Sequence, residues 1–307
     1  MKKILSLLVL SVLLVSLFSC GGGEKKAEAY LGLGHEIIHD GMDSMPILGI
    51  YAAAAIVDGE TKAVISFAID GYMAAAPVVN GAIADGTAQS IDSLFEGSEG
   101  DEEFEAVMAE ISTAVVGKTA SEIEAFAASS DVDEDTAPVY KAIAYAAKTA
   151  ASACGKADKP GVALKGALTT ANADALAGTN GSIKATVEFM AVALDADNKV
   201  TGAALDTAQN LTREFDATGA LVDPASGFKT KREKQYDYNM KPASGIKLEW
   251  FEQAENFCEY LRGKTSTEIG TIVNAEGAAT DSALLSGCTM GVSSYVTLAV
   301  AAVGAAN

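Results

Sequence analysis

Two histidines and a glutamate near the start of the chain have the spacing of a zinc hydrolase motif. His35, Glu36 and His39 form a His-Glu-x-x-His pattern, which on a helix places both imidazoles on one face with the glutamate as general base. Such a site needs a third ligand, and because the chain has no other histidine, a carboxylate such as Glu60 would have to serve. Glu60 falls in a predicted hairpin turn, and the glycines just before His35 favour a strand or loop over a helix. We therefore expect a fortuitous match, with a zinc metallopeptidase as the third alternative for function.

The composition excludes several other classes of function. Both histidines lie close together, so no Ser-His-Asp arrangement is credible, and the sequence has neither a P-loop nor a Gly-x-Gly-x-x-Gly motif. The chain carries 41 acidic and 22 basic residues, a net charge of −19, which makes nucleic acid and anionic membrane surfaces poor partners. With 49% hydrophobic residues among 307, the chain is apolar enough to fold rather than remain disordered.

A short segment near the C terminus carries the second chemical signal. Ser286, Gly287, Cys288 and Thr289 precede a helical pattern over 296–303. This tetrapeptide resembles the Ser/Thr-Gly-Ala-Ser/Thr motif of FMN-binding domains, in which a flavin transferase joins the last hydroxyl residue to FMN through a phosphoester. The resemblance implies that Thr289 carries the flavin, with Ser286 and Gly287 beside it. Cys288 stands where the family has alanine, and the alternative is a plain helix cap of serine and threonine.

Aromatic and basic residues cluster in a segment, 210–245, that makes the second half of the chain the longer one. Backbone donors at a helix start suit a phosphate and aromatic rings suit an isoalloxazine, so a bound flavin is expected to contact Tyr236 and Tyr238. Trp250 is a third aromatic candidate, although its helical spacing is more typical of a core residue. The same tyrosines lie among basic residues that predict an exposed recognition surface in this acidic chain, with a solvated loop as the alternative. Those basic residues are Lys229, Lys231, Arg232 and Lys234.

The chain contains an internal echo. The segment 116–123 reads Val-Gly-Lys-Thr-Ala-Ser-Glu-Ile, and the segment 262–269 reads Arg-Gly-Lys-Thr-Ser-Thr-Glu-Ile. In each copy an amphipathic helix runs into a glycine, Gly117 or Gly263, which is typical of helix ends. The threonine and glutamate that follow fit a capping box that begins a new short helix.

Strand-like runs lie upstream of each echo and complete the prediction of the fold. Polar turns join them in pairs, 50–57 with 63–69 and 183–194 with 200–205. Apolar residues alternate along 183–189, which indicates a half-buried strand with one face on helices. The repeated order predicts an α+β fold of two tandem related domains, each an antiparallel sheet packed against helices. We place the first domain at 30–154, a linker rich in glycine at 155–161 and the second domain at 162–307, and we expect the second to fold alone.

The first 19 residues have the features of a signal peptide. Lys2 and Lys3 precede an apolar run, 4–18, that is too short to span a bilayer comfortably. The segment 17–20, Leu-Phe-Ser-Cys, resembles the lipobox of bacterial lipoproteins, which implies that Cys20 is acylated and that 20–29 is a flexible tether. The predicted location is the extracytoplasmic face of the cell membrane, through a lipid anchor, and the alternative is an ordinary secreted protein.

Three further cysteines remain after acylation. Cys154, Cys258 and Cys288 allow at most one intramolecular disulfide, and the helical setting of Cys258 favours a small buried side chain over a redox role. The uncharged run 282–307 contains enough serine, threonine and glycine to predict a buried helix rather than a membrane span.

A second resemblance concerns the whole chain. The segments 230–233, 237–240 and 249–254 look like a repeat found in extracytoplasmic lipoproteins of clostridia and their relatives, and the turn at 195–200 is similar to a turn of FMN-binding domains. This implies a lipoprotein with degenerate FMN-binding-like repeats that passes electrons to a redox partner, as a carrier rather than an enzyme. The alternative is a noncatalytic surface lipoprotein that binds a small molecule or a protein through a groove or the basic loop.

Overall fold

The computed structural model describes residues 28–84, 88–92, 94–95, 102–169, 174–176, 178–222 and 228–306. The predicted signal peptide, Cys20 and all but the end of the tether lie outside the described residues, and so does the side chain of His39. The lipid anchor therefore stays a prediction.

The described residues of the first half form six strands, then three helices, then one more strand. They are β1 (Ala29–Met42), β2 (Met45–Asp58), β3 (Val64–Ala75), β4 (Val78–Val79), β5 (Ala82–Ile83), β6 (Gln89–Ile91), α1 (Glu102–Val115), α2 (Ala120–Ala127), α3 (Ala137–Thr149) and β7 (Ser152–Cys154). The predicted hairpin corresponds to β2 and β3, and the predicted capping box of Thr119 and Glu122 begins α2. The strand that precedes the hairpin, β1, contains the His-Glu-x-x-His pattern.

The second half repeats this order with a longer insertion before its helices. Its elements are β8 (Lys159–Thr169), β9 (Gly181–Leu194), β10 (Val200–Phe215), β11 (Leu221–Val222), α4 (Lys231–Lys234), a 3-10 turn (Gln235–Tyr238), α5 (Trp250–Leu261), α6 (Ser266–Gly270), α7 (Ser282–Gly287) and α8 (Ser293–Ala305). The second capping box, Thr265 with Glu268, begins α6 as predicted. Among the described residues, no helix is long and apolar enough to cross a membrane.

The strands form two main antiparallel sheets. The first sheet has the order β6-β3-β2-β1-β7 and the second the order β11-β10-β9-β8, while β4 and β5 form a small hairpin. The two sheets lie face to face, with β3 over β8, β2 over β9 and β1 over β10. Helices α1 to α3 cover the outer face of the first sheet and α5 to α8 cover that of the second. The predicted α+β class, with antiparallel sheets packed against helices, is confirmed. The four layers are helices, the first sheet, the second sheet and helices.

A shared core between the sheets joins the two halves. It contains Leu48 and Ile50 of the first sheet with Ile183, Val187 and Phe189 of the second, all of them fully buried. The apolar face of β9 that the sequence alternation identified therefore packs on the other sheet and not on helices. The opposite face of β9 packs on helices further along the strand, so both faces are buried there.

The two echoed segments have the same backbone contacts. Gly117 N–H donates to the carbonyl of Val64 at 2.8 Å, and Gly263 N–H donates to that of Val200 at 2.7 Å. Both glycines follow a helix with a left-handed backbone, φ +80° and +75°, which favours glycine over residues with a Cβ. In each half this contact ties a helix end to the first residue of the second hairpin strand.

A second matched pair of glycines lets a helix approach each sheet. Gly32 on β1 lies against the carbonyl of Ala146 in α3, and Gly161 on β8 lies against that of Ala302 in α8. Gly32 pairs with the residue three before Asp58, and Gly161 pairs with the residue three before Asp195, so the two glycines occupy equivalent places. A Cβ at either position would overlap helix backbone, which explains why glycine is required there.

The connection between the halves is shorter than predicted. Residues 155–158 form a turn in which the Asp158 carboxylate accepts from Gly155 N–H at 2.7 Å, and the last three residues of the predicted linker already belong to β8. Cys154, Cys258 and Cys288 are all free thiols. Cys258 is buried, as predicted, and burial raises the pKa of its thiol to about 12, so it is a poor nucleophile near neutral pH.

Candidate functional site

The main cleft lies where β1 and α3 of the first half meet β10, α4 and α5 of the second. Its volume is about 710 Å³, and both halves contribute polar side chains to it. The residues with ionisable or hydroxyl groups in its lining are Tyr145, Thr149, Ser152, Asp206, Arg232, Glu233, Glu255, Cys258, Glu259 and Arg262. Apolar side chains of β1 and β10 form the floor, among them Leu31 and Leu33. A cleft of this size is large enough for a small molecule.

Asp206 is a buried carboxylate at the base of this cleft, with 4% of its surface exposed. Its Oδ1 accepts the backbone N–H groups of Thr207 at 2.7 Å and Arg232 at 3.0 Å, and its Oδ2 accepts the hydroxyl of Thr230 at 2.6 Å. Burial raises the pKa of Asp206, while the Thr230 hydrogen bond and the charge of Arg232 oppose that rise. Asp206 thus fixes the start of α4 against β10.

Glu233 is placed by the cap of that same short helix. Thr230 N–H donates to Glu233 Oε2 at 2.8 Å and the Thr230 hydroxyl accepts from Glu233 N–H at 3.2 Å, which is a capping box. The carboxylate then reaches the first half, where Tyr145 of α3 donates its hydroxyl to Oε1 at 3.0 Å. Burial and the Glu233 charge both raise the pKa of Tyr145, so the phenol stays protonated and donates.

His35 lies beside this pair, in a strand rather than a helix. The ring is 8% exposed, packs edge-on to Tyr145 and against Phe189 at centroid distances of 5.1 and 5.5 Å, and has no hydrogen bond within the described part of the chain. Its Nε2 is 3.7 Å from Glu233 Oε2. Because β1 is extended, positions 35 and 39 are about 13 Å apart, which does not suit one zinc ion. Glu36 forms an ion pair with Lys141 at 3.5 Å instead.

Arg232 is only partly satisfied inside the cleft. Its Nε donates to the carbonyl of Leu205 at 3.2 Å and its Nη1 to Glu255 at 3.1 Å, while Nη2 has no partner among the described residues. Arg262 differs, since its Nη1 and Nη2 donate to the Ala153 carbonyl and the Ser152 hydroxyl at 2.9 and 3.0 Å. Arg262 therefore holds β7 in place, whereas Arg232 keeps a free donor edge.

The cleft carries excess negative charge. Its lining has four carboxylates, Asp206, Glu233, Glu255 and Glu259, against two guanidinium groups. Two of these carboxylates pair with the arginines at the rim, where Glu255 and Glu259 are 59% and 72% exposed. The interior carboxylates are closer to apolar surface, so their field is less screened by water. The arrangement suits a positively charged group better than a second anion.

The residues of the predicted flavin motif lie on the opposite side of α5. Thr289 is exposed between α7 and α8, Ser286 is exposed at the end of α7 and Gly287 is the last residue of α7. The buried side chain of Gln253 accepts the backbone N–H groups of Thr289 at 2.8 Å and Met290 at 3.1 Å. These donors, which the sequence reasoning offered to a phosphate, are thus already paired. The Thr289 hydroxyl has one long contact, at 3.4 Å, to the same oxygen.

The aromatic and basic cluster is only partly exposed. Lys231 Nζ lies 5.2 Å from the ring centroids of both Tyr238 and Trp250, and burial lowers its pKa. Tyr238 is half-buried and donates its hydroxyl to Gln209 at 3.1 Å, whereas Tyr236 is 59% exposed and packs edge-on to Phe251. The prediction of one exposed recognition surface is wrong for Lys231, which is held between two rings. Trp250 is buried, as its helical spacing indicated.

Helix α5 separates two candidate sites. Its residues 255, 258 and 259, with Arg262 directly after its end, recur at helical spacing and line the cleft, while Gln253 contacts the Thr289 loop on the other side. The sequence pointed to His35, Arg232 and the 286–289 motif, missed Asp206 and Tyr145, and included Glu233 only within a repeat segment. A carboxylate within the apolar run of β10 was a detectable signal for Asp206. The partner of Tyr145 is 88 residues away, so no local pattern could reveal it.

Neither a metal centre nor a known relative explains the cleft. Within the described ranges, no group of three or more His, Cys, Asp and Glu side chains is arranged to hold a metal ion. No protein-family model matches the chain, and no curated protein or solved structure proved similar to it. The chemistry of the site must therefore be argued from its own residues.

Proposed function

We propose that this chain is a lipid-anchored, extracytoplasmic binding protein that holds a small polar molecule in the cleft between its two halves. The observation that carries the proposal is the cleft of about 710 Å³ in which Tyr145 of one half and Arg232 and Glu233 of the other meet around a buried carboxylate, Asp206. Burying a carboxylate is costly unless it is hydrogen-bonded. A network of this kind at an open cleft is typical of a binding site.

The anchor is argued from the lipobox-like segment that ends at Cys20. Metabolic labelling with a fatty-acid analogue, followed by cell fractionation, tests it, with Cys20→Ala as the variant. We expect the label and membrane association to be lost together in the variant. A labelled Cys20→Ala chain would contradict the anchor without touching the binding proposal.

Ligand binding is tested by thermal unfolding of the purified chain in the presence of a library of small extracellular metabolites. A ligand that binds only the folded chain raises the midpoint in proportion to the logarithm of its concentration. The informative variant is Tyr145→Phe, which keeps the cleft shape but removes the hydroxyl that donates to Glu233 at 3.0 Å. A ligand that binds the variant as well as the original chain does not use this network.

A flavoprotein is the second candidate. The exposed position of Thr289, with a hydroxyl that makes only one long contact, leaves that oxygen accessible to a flavin transferase. Tyr236 has an exposed aromatic ring, on which an isoalloxazine ring could stack. In this case FMN would supply the redox chemistry and the chain would supply its attachment and its location at the membrane.

Co-expression with a flavin transferase separates the two candidates. Covalent flavin is fluorescent in a denaturing gel and adds to the mass of the chain, and Thr289→Val should abolish both signals. Thr297→Val is the matched control, since Thr297 is exposed outside the motif and its hydroxyl donates to the Ser293 carbonyl of its own helix. A colourless chain of unmodified mass would remove the flavin candidate and leave the cleft as the site of function.

A further inference from the structure

The ligand class follows from how charge is distributed inside the cleft, and this step rests on the proposed binding function. We infer that the cleft binds a zwitterion, a small molecule with an ammonium group and a carboxylate on an apolar body, such as an α-amino acid. The ammonium lies beside Glu233 and the carboxylate on the free edge of Arg232. Each end is argued separately below.

The ammonium end is set by Glu233 and its neighbours. Glu233 Oε2 is 3.7 Å from His35 Nε2, a separation too long for a hydrogen bond. His35 is 8% exposed and has no hydrogen bond among the described residues, so its Nε2 lies at ion-pair distance from the carboxylate without bonding to it. Glu233 Oε2 therefore accepts no side-chain donor from the described residues of the first half. An ammonium donates three hydrogen bonds, so it can bind the Glu233 carboxylate in the cleft and still have donors for a second acceptor.

The carboxylate end is set by Arg232. Its Nε and Nη1 are held by the Leu205 carbonyl and Glu255, which fixes the guanidinium plane of this cleft-lining residue and leaves Nη2 without a partner among the described residues. A guanidinium edge that is already oriented binds a carboxylate with little loss of side-chain freedom. Arg262 offers no such edge, because its nitrogens are already occupied by Glu259, Ser152 and Ala153.

Both charges of the ligand are needed for the energetics to favour binding. A carboxylate alone would enter a site whose interior already holds Asp206 and Glu233, and like charges at short range repel. An amine alone would leave the free donor of Arg232 unused and would make only one of the two charged contacts. The floor of Leu31, Leu33, Ala203 and Ala204 suits an aliphatic body between the two ends.

The test compares three compounds that share one aliphatic group. The purified full chain is first screened by thermal unfolding against a mixture of the twenty common amino acids. Isothermal titration then compares leucine with isoamylamine, which lacks the carboxylate, and with 4-methylpentanoate, which lacks the ammonium. If another amino acid gives the shift, its own decarboxylated and deaminated analogues replace them. We expect the zwitterion to bind at least tenfold more tightly than either analogue.

Two variants locate the charges. Arg232→Met should weaken the zwitterion at least tenfold and leave the amine nearly unchanged, because only the carboxylate contact is lost. Lys229→Met is the control, since it also removes a positive charge but from an exposed side chain outside the lining of the cleft, so it should bind the zwitterion normally. If Arg232→Met does not fold, the comparison of the three compounds still decides the matter.

The outcomes distinguish this inference from the function on which it rests. Equal binding of the amine and the zwitterion would overturn the carboxylate contact, and equal binding of the acid would overturn the ammonium contact. A polar but uncharged molecule that binds in the cleft, with no response to amino acids, would overturn the zwitterion and keep the binding function. Failure of the whole metabolite library would overturn both.

Discussion

The matched glycines Gly32 and Gly161 lead to a quantitative prediction about how each helix layer sits on its sheet. In either position a Cβ would overlap the backbone of the covering helix, at Ala146 or Ala302, and a helix backbone cannot rotate aside as a side chain can. Overpacking of this kind costs about 1–3 kcal/mol. We therefore expect Gly32→Ala and Gly161→Ala each to destabilise the chain by about that amount.

Urea unfolding of the purified chain measures the effect. For a slope of about 2 kcal/mol/M, a loss of about 1–3 kcal/mol lowers the midpoint by about 0.5–1.5 M. Because the two sites lie on opposite outer faces, the double variant should lose about the sum of the single losses. Gly304→Ala is the control, since a Cβ there meets nothing within 4 Å. Alanine in α8 should raise stability by about 0.5–1 kcal/mol.

The result that would refute this reasoning is simple to recognise. If Gly32→Ala and Gly161→Ala unfolded at the same urea concentration as the original chain, the helices could not be seated as closely as described. If only one of the two lost stability, the equivalence of the two positions would fail.

Three further predictions concern the cleft and the shared core. Burial raises the pKa of Asp206, so its contribution to stability is complete below the unfolded pKa of about 3.9 and is lost as pH rises through the folded value. Asp206→Asn should therefore gain stability relative to the original chain between pH 4 and pH 7 in urea titrations, and a constant difference would contradict the pKa shift. Tyr145→Phe should cost about 1.5–3 kcal/mol because the bond to charged Glu233 is lost, and a double-mutant cycle with Glu233→Gln should show coupling. The sequence predicts that the second half folds alone, but the shared core reverses this expectation, because the fragment 159–306 exposes the apolar face of β9. We expect the fragment to aggregate or self-associate alone and to form a one-to-one complex with 28–158 on co-expression; a soluble, folded monomer on gel filtration would contradict the shared core.

Local patterns predicted the hairpins and capped helices well. The capping boxes at Thr119 and Thr265 depend on residues three apart, and their geometry is the same wherever the helix is placed. The face-to-face sheets were not predicted. In β2 the run 51–56 contains four consecutive alanines, each fully buried because both faces of the strand are covered, and such a strand has no alternation to detect.

The candidate site was harder to predict for the same physical reason. His35 was noticed through a helix-based motif, yet its setting depends on a strand and on a glutamate from the other half of the chain. Glu233 was noticed only as a member of a repeat, because its cap is local while its contact with Tyr145 is not. Chemistry formed between distant segments can be seen only once the topology is known.

The stacking of β1 over β10 and β3 over β8 has a consequence for stoichiometry. A two-fold axis generates this crosswise arrangement in a symmetric dimer. Such a dimer would have two identical clefts. His35 pairs with the residue six before Asp58, and Leu164 pairs with the residue six before Asp195. His35 and Leu164 therefore occupy equivalent positions in the two halves. An imidazole in one half thus corresponds to an aliphatic side chain in the other. Because both units belong to a single polypeptide, their sequences can differ, and only one of the two equivalent places needs to form a cleft. Each molecule should therefore saturate with one equivalent of ligand, not two.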